Sequence, residues 1–391
     1  MPILQWLECT LDNDLGLGSV AGGDSFHITG EDITAEKSQV VHVHSGQLSY
    51  IIAMGLQTLL SYTIARNIIL FPLFILSVCK GMVFFLGALI FKGPSWVFNK
   101  KLMDVRPDCL SEPSLGTHKF IDIKDLKLHV VESGDPKNPL MLFLHGFPEC
   151  WYSWRHQIRA FNKDYHCVAF DMRGVGESDA PAGVLNYTLD KLVGDVRNLI
   201  KVIGHKSCVL VAHDWGGLIA WEFAARYPDM VDKYIPMNIP HPDRFVEYGT
   251  SSIAQMNMSW YVFFFQLPYL PEMMISMGDY AMMKKAFKIG PGTDEDVDAF
   301  KYSLSRPGRS TTFINYYRNL VGELFNKPCG KIVVPTCLIW GTGDTALHTK
   351  LSYETEKFCP NLTVKRIEGG QHSIQQHKPD VVNDLMKQYL E

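Results

Sequence analysis

The segment Val209-Leu210-Val211-Ala212-His213-Asp214-Trp215-Gly216-Gly217 runs a buried-type strand into small residues and then into a helical pattern. A residue held at such a strand-to-helix turn is strained, with its side chain raised above the sheet. Ala212 and Gly216, two before and two after, leave room for the turn. The residue at the turn is Asp214. A carboxylate nucleophile forms an ester even when it attacks an alkyl carbon. A serine attacking the same carbon would form an ether, which water does not readily cleave. The pattern therefore points to a carbon–heteroatom bond at saturated carbon, in an epoxide or an alkyl halide, and argues against a serine-type esterase. Reading Asp214 as a plain helix N-cap leaves the flanking strand and small residues unexplained.

An ester must then be hydrolysed, which calls for a base late in the chain with an acid before it. His372, in Gly369-Gly370-Gln371-His372-Ser373, follows the last apolar strand pattern, and Asp344, in Trp340-Gly341-Thr342-Gly343-Asp344, follows the one before. Both fall where open α/β sheets place their sites, at strand C-terminal ends. Asp344 is expected to orient His372 and stabilise its protonated form, and His372 to activate water against the Asp214 ester. His213 competes as the histidine, but its side chain should point away from Asp214 and pack beside the turn. A third signal is Leu144-His145-Gly146-Phe147-Pro148-Glu149-Cys150-Trp151. Backbone N–H groups of Phe147 and Trp215 could form an oxyanion hole. Asp171-Met172-Arg173-Gly174-Val175-Gly176 lacks the full glycine fingerprint of a phosphate loop and reads as a structural loop tied by Arg173.

These residues need a scaffold, and the surrounding pattern supplies one. Strands are expected at Phe120–Ile123, Leu126–Glu132, Leu140–Leu144, Cys167–Phe170, Cys208–Ala212, Tyr234–Met237, Thr336–Trp340 and Leu362–Ile367. Helices are expected at Trp151–Phe161, Leu189–Ile203, Gly217–Tyr227, near Lys350–Phe358, and at Pro379–Leu390. Alternation of this kind predicts an α/β fold whose mostly parallel sheet is covered by helices on both faces. Residues 240–330 break the rhythm. They are rich in Met and aromatic residues and read as a helical cap inserted between two sheet strands. Most of those side chains should fill core, and some should roof an apolar pocket. The core is therefore expected at 118–239 and 331–391, with the cap at 240–330.

The chain has 391 residues, 37 of them basic and 41 acidic, for a net charge of −4. No basic face for nucleic acid is implied. Nine scattered cysteines show neither a CxxC pair nor zinc spacing, so neither a disulfide scaffold nor a bound metal is expected. His42 and His44 stand close together but without further ligands nearby. Residues 1–47 are acidic, with Lys37 their single Lys or Arg, and read as a polar tail. Residues 48–92 form an anchor region, with one membrane span expected at about 68–91, interrupted by Pro72 and Lys80. The segment begins too late, and without a basic leader, to be a cleaved signal. Lys92, Lys100, Lys101 and Arg106 follow it, which favours a cytosolic C-terminal side. Glycans at the sequons of Asn186, Asn257 or Asn361 would reverse that orientation. Residues 93–117, with Pro94, Pro107 and Pro113, read as a linker.

Taken together, HGFPExW at 145–151, DMRGVGES at 171–178, AHDWGG at 212–217 and the late Asp344 and His372 resemble the epoxide hydrolases of the α/β-hydrolase fold over residues 118–391. With the preceding span, the chain looks most like the membrane-anchored vertebrate subgroup called epoxide hydrolases three and four. The resemblance implies conversion of lipophilic epoxides to vicinal diols without a cofactor, in a membrane such as that of the endoplasmic reticulum. It also implies two cap tyrosines that donate hydrogen bonds to the epoxide oxygen. It places them at Tyr261 and Tyr317, with Tyr269 and Tyr316 as rivals. A phenol, protonated at neutral pH, suits that role. The sequence departs from the family at Ala212, where Gly is frequent, and after His372, where an aromatic often follows. A haloalkane dehalogenase could share Asp214 and Trp215 but would not need the two tyrosines. A catalytically silent tethered binding protein is the other alternative, and the complete residue set argues against it.

Overall fold

The computed structural model describes residues 71–287 and 292–391. The polar tail, His42, His44 and the first three residues of the expected span lie outside them. Eight strands form one sheet: β1 Thr117–Ile123, β2 Leu126–Ser133, β3 Leu140–Leu144, β4 His166–Phe170, β5 Cys208–His213, β6 Val231–Met237, β7 Thr336–Gly341 and β8 Leu362–Ile367. Their order is β1-β2-β4-β3-β5-β6-β7-β8. The β1–β2 and β2–β4 pairs are antiparallel, and every pair from β4 to β8 is parallel. Every residue of β3, β4, β5 and β7 is buried. That is why these strands read as unbroken apolar runs: helices cover both faces of a parallel sheet. The helix Leu189–Val202 shows the complementary pattern, burying Leu189, Leu192, Val193, Val196, Leu199 and Ile200 at helical spacing.

All eight expected strands form. The helix expected to begin at Gly217 starts at Asp214 itself and runs to Arg226. The stretch from Trp151 opens with a tight 3-10 turn, Trp151–Trp154, before the helix Arg155–Phe161. The helix expected near Lys350–Phe358 is not formed; two 3-10 turns, Thr349–Ser352 and Thr355–Lys357, stand there. Glu354 between them has φ +62°, and arginines occupy the carbonyls a helix would use. Arg366 donates to the Ser352 carbonyl and Arg244 to that of Tyr353.

Between β6 and β7 the chain runs through the helices Pro242–Gly249, Ile253–Met258, Trp260–Phe264, a helical stretch Leu270–Phe287 broken by non-helical backbone at Met277, Gly278, Asp279 and Tyr280, then Asp294–Ser305 and Arg309–Asn326. No strand interrupts this stretch among the described residues. The segment preceding β1 is packed and does not hang free. Leu110 and Leu115 join the core, and Arg106 forms an ion pair with Glu177. Phe71–Lys92 is a helix long and apolar enough to cross a membrane. Phe71, Leu76, Val83, Phe84, Ile90 and Phe91 are all exposed along it, so it is not a core helix.

Candidate active site

Asp214 has φ +48°, the left-handed conformation expected of a side chain raised at a strand-to-helix turn. Two glycines make the turn possible. A Cβ on Gly216 would lie 2.4 Å from the Leu144 carbonyl oxygen, and one on Gly146 would lie 2.5 Å from the Asp214 Cβ. The Phe147 N–H donates to Asp214 Oδ1 at 2.7 Å. Trp215 is the second residue of the helix, so its N–H has no intrahelical acceptor. Asp214 Oδ2, the other oxygen, lies 3.4 Å from His372 Nε2. His372 Nδ1 in turn lies 2.7 Å from Asp344 Oδ2. The three side chains thus form one line from β5 through the turn after β8 to the turn after β7, all at the C-terminal edge of the sheet.

Electrostatics lock this line into an ion pair. Burial penalises the Asp214 carboxylate, but the bond and charge of His372, with the Phe147 N–H, hold it below the usual carboxylate range. Burial likewise opposes the His372 imidazolium, yet the Asp344 charge and the bonds to both carboxylates keep it protonated well above the ordinary histidine range. Asp344 is fixed independently. Its Oδ1 accepts the N–H groups of Ala346 (2.7 Å) and Leu347 (2.9 Å), and its Oδ2 accepts Asn238 Nδ2 at 2.6 Å.

The cap supplies the opposite wall. Tyr261 and Tyr317 both line a small apolar cavity that opens on Asp214 and Trp215. Their rings meet edge to face at 5.8 Å, and the Tyr317 ring also stands edge to face on Trp215 at 4.9 Å. Burial first, and then the Asp214 charge, push both phenols up from their usual value. Both therefore stay protonated. The rivals are engaged elsewhere: Tyr316 donates to the Arg173 carbonyl at 2.7 Å, and Tyr269 is 85% exposed. A second cavity, about 430 Å³, is lined by His372, Phe147, Arg155, Gln371, Gln376 and His377 among others.

His213 is directed away from Asp214. Its Nδ1 lies 3.1 Å from Glu149 Oε2, and its Nε2 lies 3.0 Å from the His372 carbonyl oxygen. Arg173 grips Asp195 with two bonds of 2.7 Å, which makes its loop structural as expected. Two residues of the site were given no role of their own by the sequence reading. Glu149 is buried and accepts from the Gly146 N–H, His213 and Gln376. Burial raises its pKa, but His213, the Gly146 N–H and the Ser373 hydroxyl outweigh the penalty and bring it to about 2. Its signal was a charge set in an otherwise small and apolar loop. Asn238, at φ +44°, braces Asp344 and accepts the Gly341 N–H at 2.9 Å. Its signal was an Asn, tolerant of that conformation, directly after a buried strand.

The model of the alpha/beta hydrolase fold matches residues 139–379. Human epoxide hydrolase 4 is 42% identical over 313 residues, covering 76% of this chain and 86% of that protein. The chain belongs to the epoxide hydrolases of this fold. A second relative in the epoxide hydrolase family, epoxide hydrolase 3 of Xenopus tropicalis, is 40% identical over 319 residues, covering 77% and 85%. Among solved structures, the epoxide hydrolase of Bacillus megaterium in complex with an inhibitor aligns with TM-score 0.65 and 35% identity, over 70% of this chain and 99% of that one.

Proposed function

We propose that this protein hydrolyses lipophilic epoxides to vicinal diols through a covalent ester on Asp214. Asp214 Oδ2 attacks an epoxide carbon while Oδ1 stays against the Phe147 N–H, with the Trp215 N–H as the second donor. Tyr261 and Tyr317 hydrogen-bond the epoxide oxygen, and one of them gives it a proton as the C–O bond breaks. The proton on His372 then passes through solvent to the tyrosinate. Esterification removes one of the two carboxylates that held that proton, so the neutral imidazole becomes accessible. His372 now takes a proton from water, whose oxygen attacks the ester carbon. The charge that develops on Oδ1 meets the two N–H donors. Collapse releases the diol and restores the Asp214 carboxylate and protonated His372, so atoms and charges balance.

The observation that carries this reading is the Asp214–His372–Asp344 line facing two protonated tyrosines across one apolar cavity. A halide site would leave those two phenols without a task. The core at 118–239 and 331–391 holds the nucleophile, base and acid, and the cap at 240–330 supplies the proton donors. The helix Phe71–Lys92 anchors the enzyme in a membrane, that of the endoplasmic reticulum. The basic residues after it support a cytosolic catalytic domain.

His372→Gln tests the scheme directly. It should still open the ring, so intact-mass analysis should find one substrate mass added and peptide mapping should place it on Asp214. A variant that binds epoxide and forms no adduct would remove the ester from the mechanism.

A further inference from the structure

Lys80 stands near the middle of the apolar helix Phe71–Lys92, where a charge has no evident reason to be. Its Nζ lies 3.1 Å from Asn257 Oδ1 and 3.5 Å from the Asn257 carbonyl oxygen, and 5.0 Å from the centre of the Trp260 ring. The next residue, Gly81, is buried. A Cβ there would fall 2.2 Å from Phe264 Cε2, and Phe264 is only 1% exposed, so its ring has little freedom to yield. Ser77, one turn earlier, is buried as well. Small residues one turn apart let a helix approach its neighbour closely. Two adjacent residues of the apolar helix thus touch the cap at Asn257, Trp260 and Phe264.

These contacts fall on the element that carries Tyr261. The helix Trp260–Phe264 has five residues. Trp260 and Phe264 are four apart and share one side, with their rings 5.6 Å apart. Tyr261 and Phe265 are four apart and share another, set edge to face on each other and on Tyr317 beside the Asp214 cavity. A helix this short has no stability of its own. One of its sides packs on Tyr317 beside the cavity, and Gln266 Nε2 ties the end of the helix to the Tyr317 carbonyl at 2.8 Å. The other is held by Lys80 and Gly81.

We infer that the apolar helix Phe71–Lys92 is a positioning element for ring opening: Lys80 and Gly81 clamp the Trp260–Phe264 helix and fix the distance from the Tyr261 phenol to the epoxide oxygen. The inference rests on the reading of Tyr261 as a proton donor. Lys80 and Gly81 touch no reacting atom, so both act through Tyr261. Anchoring and catalysis then share one helix, and attachment to a bilayer is felt at the proton donor.

The test uses the full chain in phosphatidylcholine nanodiscs with styrene oxide as probe. Every variant is made on a His372→Gln background, so that adduct formation on Asp214 reports ring opening alone. Adduct amplitude counts folded enzyme, and the rate constant is independent of that count. Lys80→Met and Gly81→Leu should each lower the rate constant about 10- to 100-fold, the scale of a misplaced catalytic group. Lys80→Arg should recover most of the loss. Adding Lys80→Met to Tyr261→Phe should cost nothing further, because the two act on one interaction. Reduced amplitude with an unchanged rate constant, or full additivity with Tyr261→Phe, would overturn the inference. So would normal rates for Lys80→Met and Gly81→Leu beside a slowed Tyr261→Phe, which would leave the proton-donor reading intact. A normal rate for Tyr261→Phe itself would overturn both.

Discussion

Neutralising Asp344 should separate the two chemical steps. Asp344→Asn keeps the side chain's size and can still accept from Asn238, but it removes the charge 2.7 Å from His372 Nδ1. With charge centres about 4 Å apart and an effective dielectric of about 20, that carboxylate stabilises the imidazolium by about 4 kcal/mol. This corresponds to about three pKa units of base strength, or up to roughly a thousandfold in a step that ends with His372 protonated. The wrong tautomer adds to the loss, and neutralising the orienting Asp of a Ser-His-Asp triad costs about 10⁴. Ester hydrolysis should therefore fall by about 10³ to 10⁴. Ring opening should fall far less, because Asp344 touches neither Asp214 nor the substrate cavity wall. Rapid quench followed by intact-mass measurement reads both steps in one experiment, and the expected result is an adduct that forms promptly and persists. If ring opening slows as much as hydrolysis and no adduct accumulates, the assignment of Asp344 and His372 to the second step is wrong.

Tyr261→Phe and Tyr317→Phe should each slow adduct formation by about 10²-fold or more, the lower end of general acid catalysis, whereas Tyr316→Phe should leave its rate constant unchanged; stopped-flow on the three variants decides between the paired tyrosines and their rival. Adduct decay should rise with pH, because the base must be neutral. Its inflection should lie below the pKa of His372 in the free enzyme, since the Asp214 charge that raised it there is gone; a decay rate that is flat with pH from 5 to 10, about the range over which an imidazole can be titrated, would contradict this. Glu149, held at about 2 against an ordinary 4.5, binds protons less readily folded than unfolded. Its contribution to stability is fully present above about 4.5 and is lost as the pH falls towards 2. The melting-temperature gap between the parent and Glu149→Gln should therefore narrow over that window, and a constant gap would show that the charge is not the source.

The line of Asp214, His372 and Asp344 was legible because its members are tied to chain order and to strand ends, both visible in one dimension. The strands of the parallel core were legible for the same kind of reason: burial on both faces leaves no alternation to misread. Asn238 and Glu149 were not legible. Each acts on a partner about a hundred residues or a buried network away, and the local signal of each names no partner. The turns at 349–357 were misread as helix because their decisive contacts come from Arg244 and Arg366, which no local pattern announces. The two tyrosines could be placed only by resemblance, since one phenol among sixteen tyrosines carries no signature of its own.

The cavity beside Asp214 and the one beside His372 differ in their polar content. Beyond Asp214 the walls are nearly all hydrocarbon, with Leu218, Ile239, Phe245 and Leu320 among them, while beyond His372 they include Arg155, Gln371, Gln376 and His377. On the proposed scheme the epoxide would occupy the oily chamber and the hydrolytic water would come from the more polar one. A terminal epoxide would leave the wetter antechamber free to feed the second half-reaction. An internal epoxide with two long arms would plug that supply with its own tail, and would stall the enzyme as its Asp214 ester for as long as the plug held.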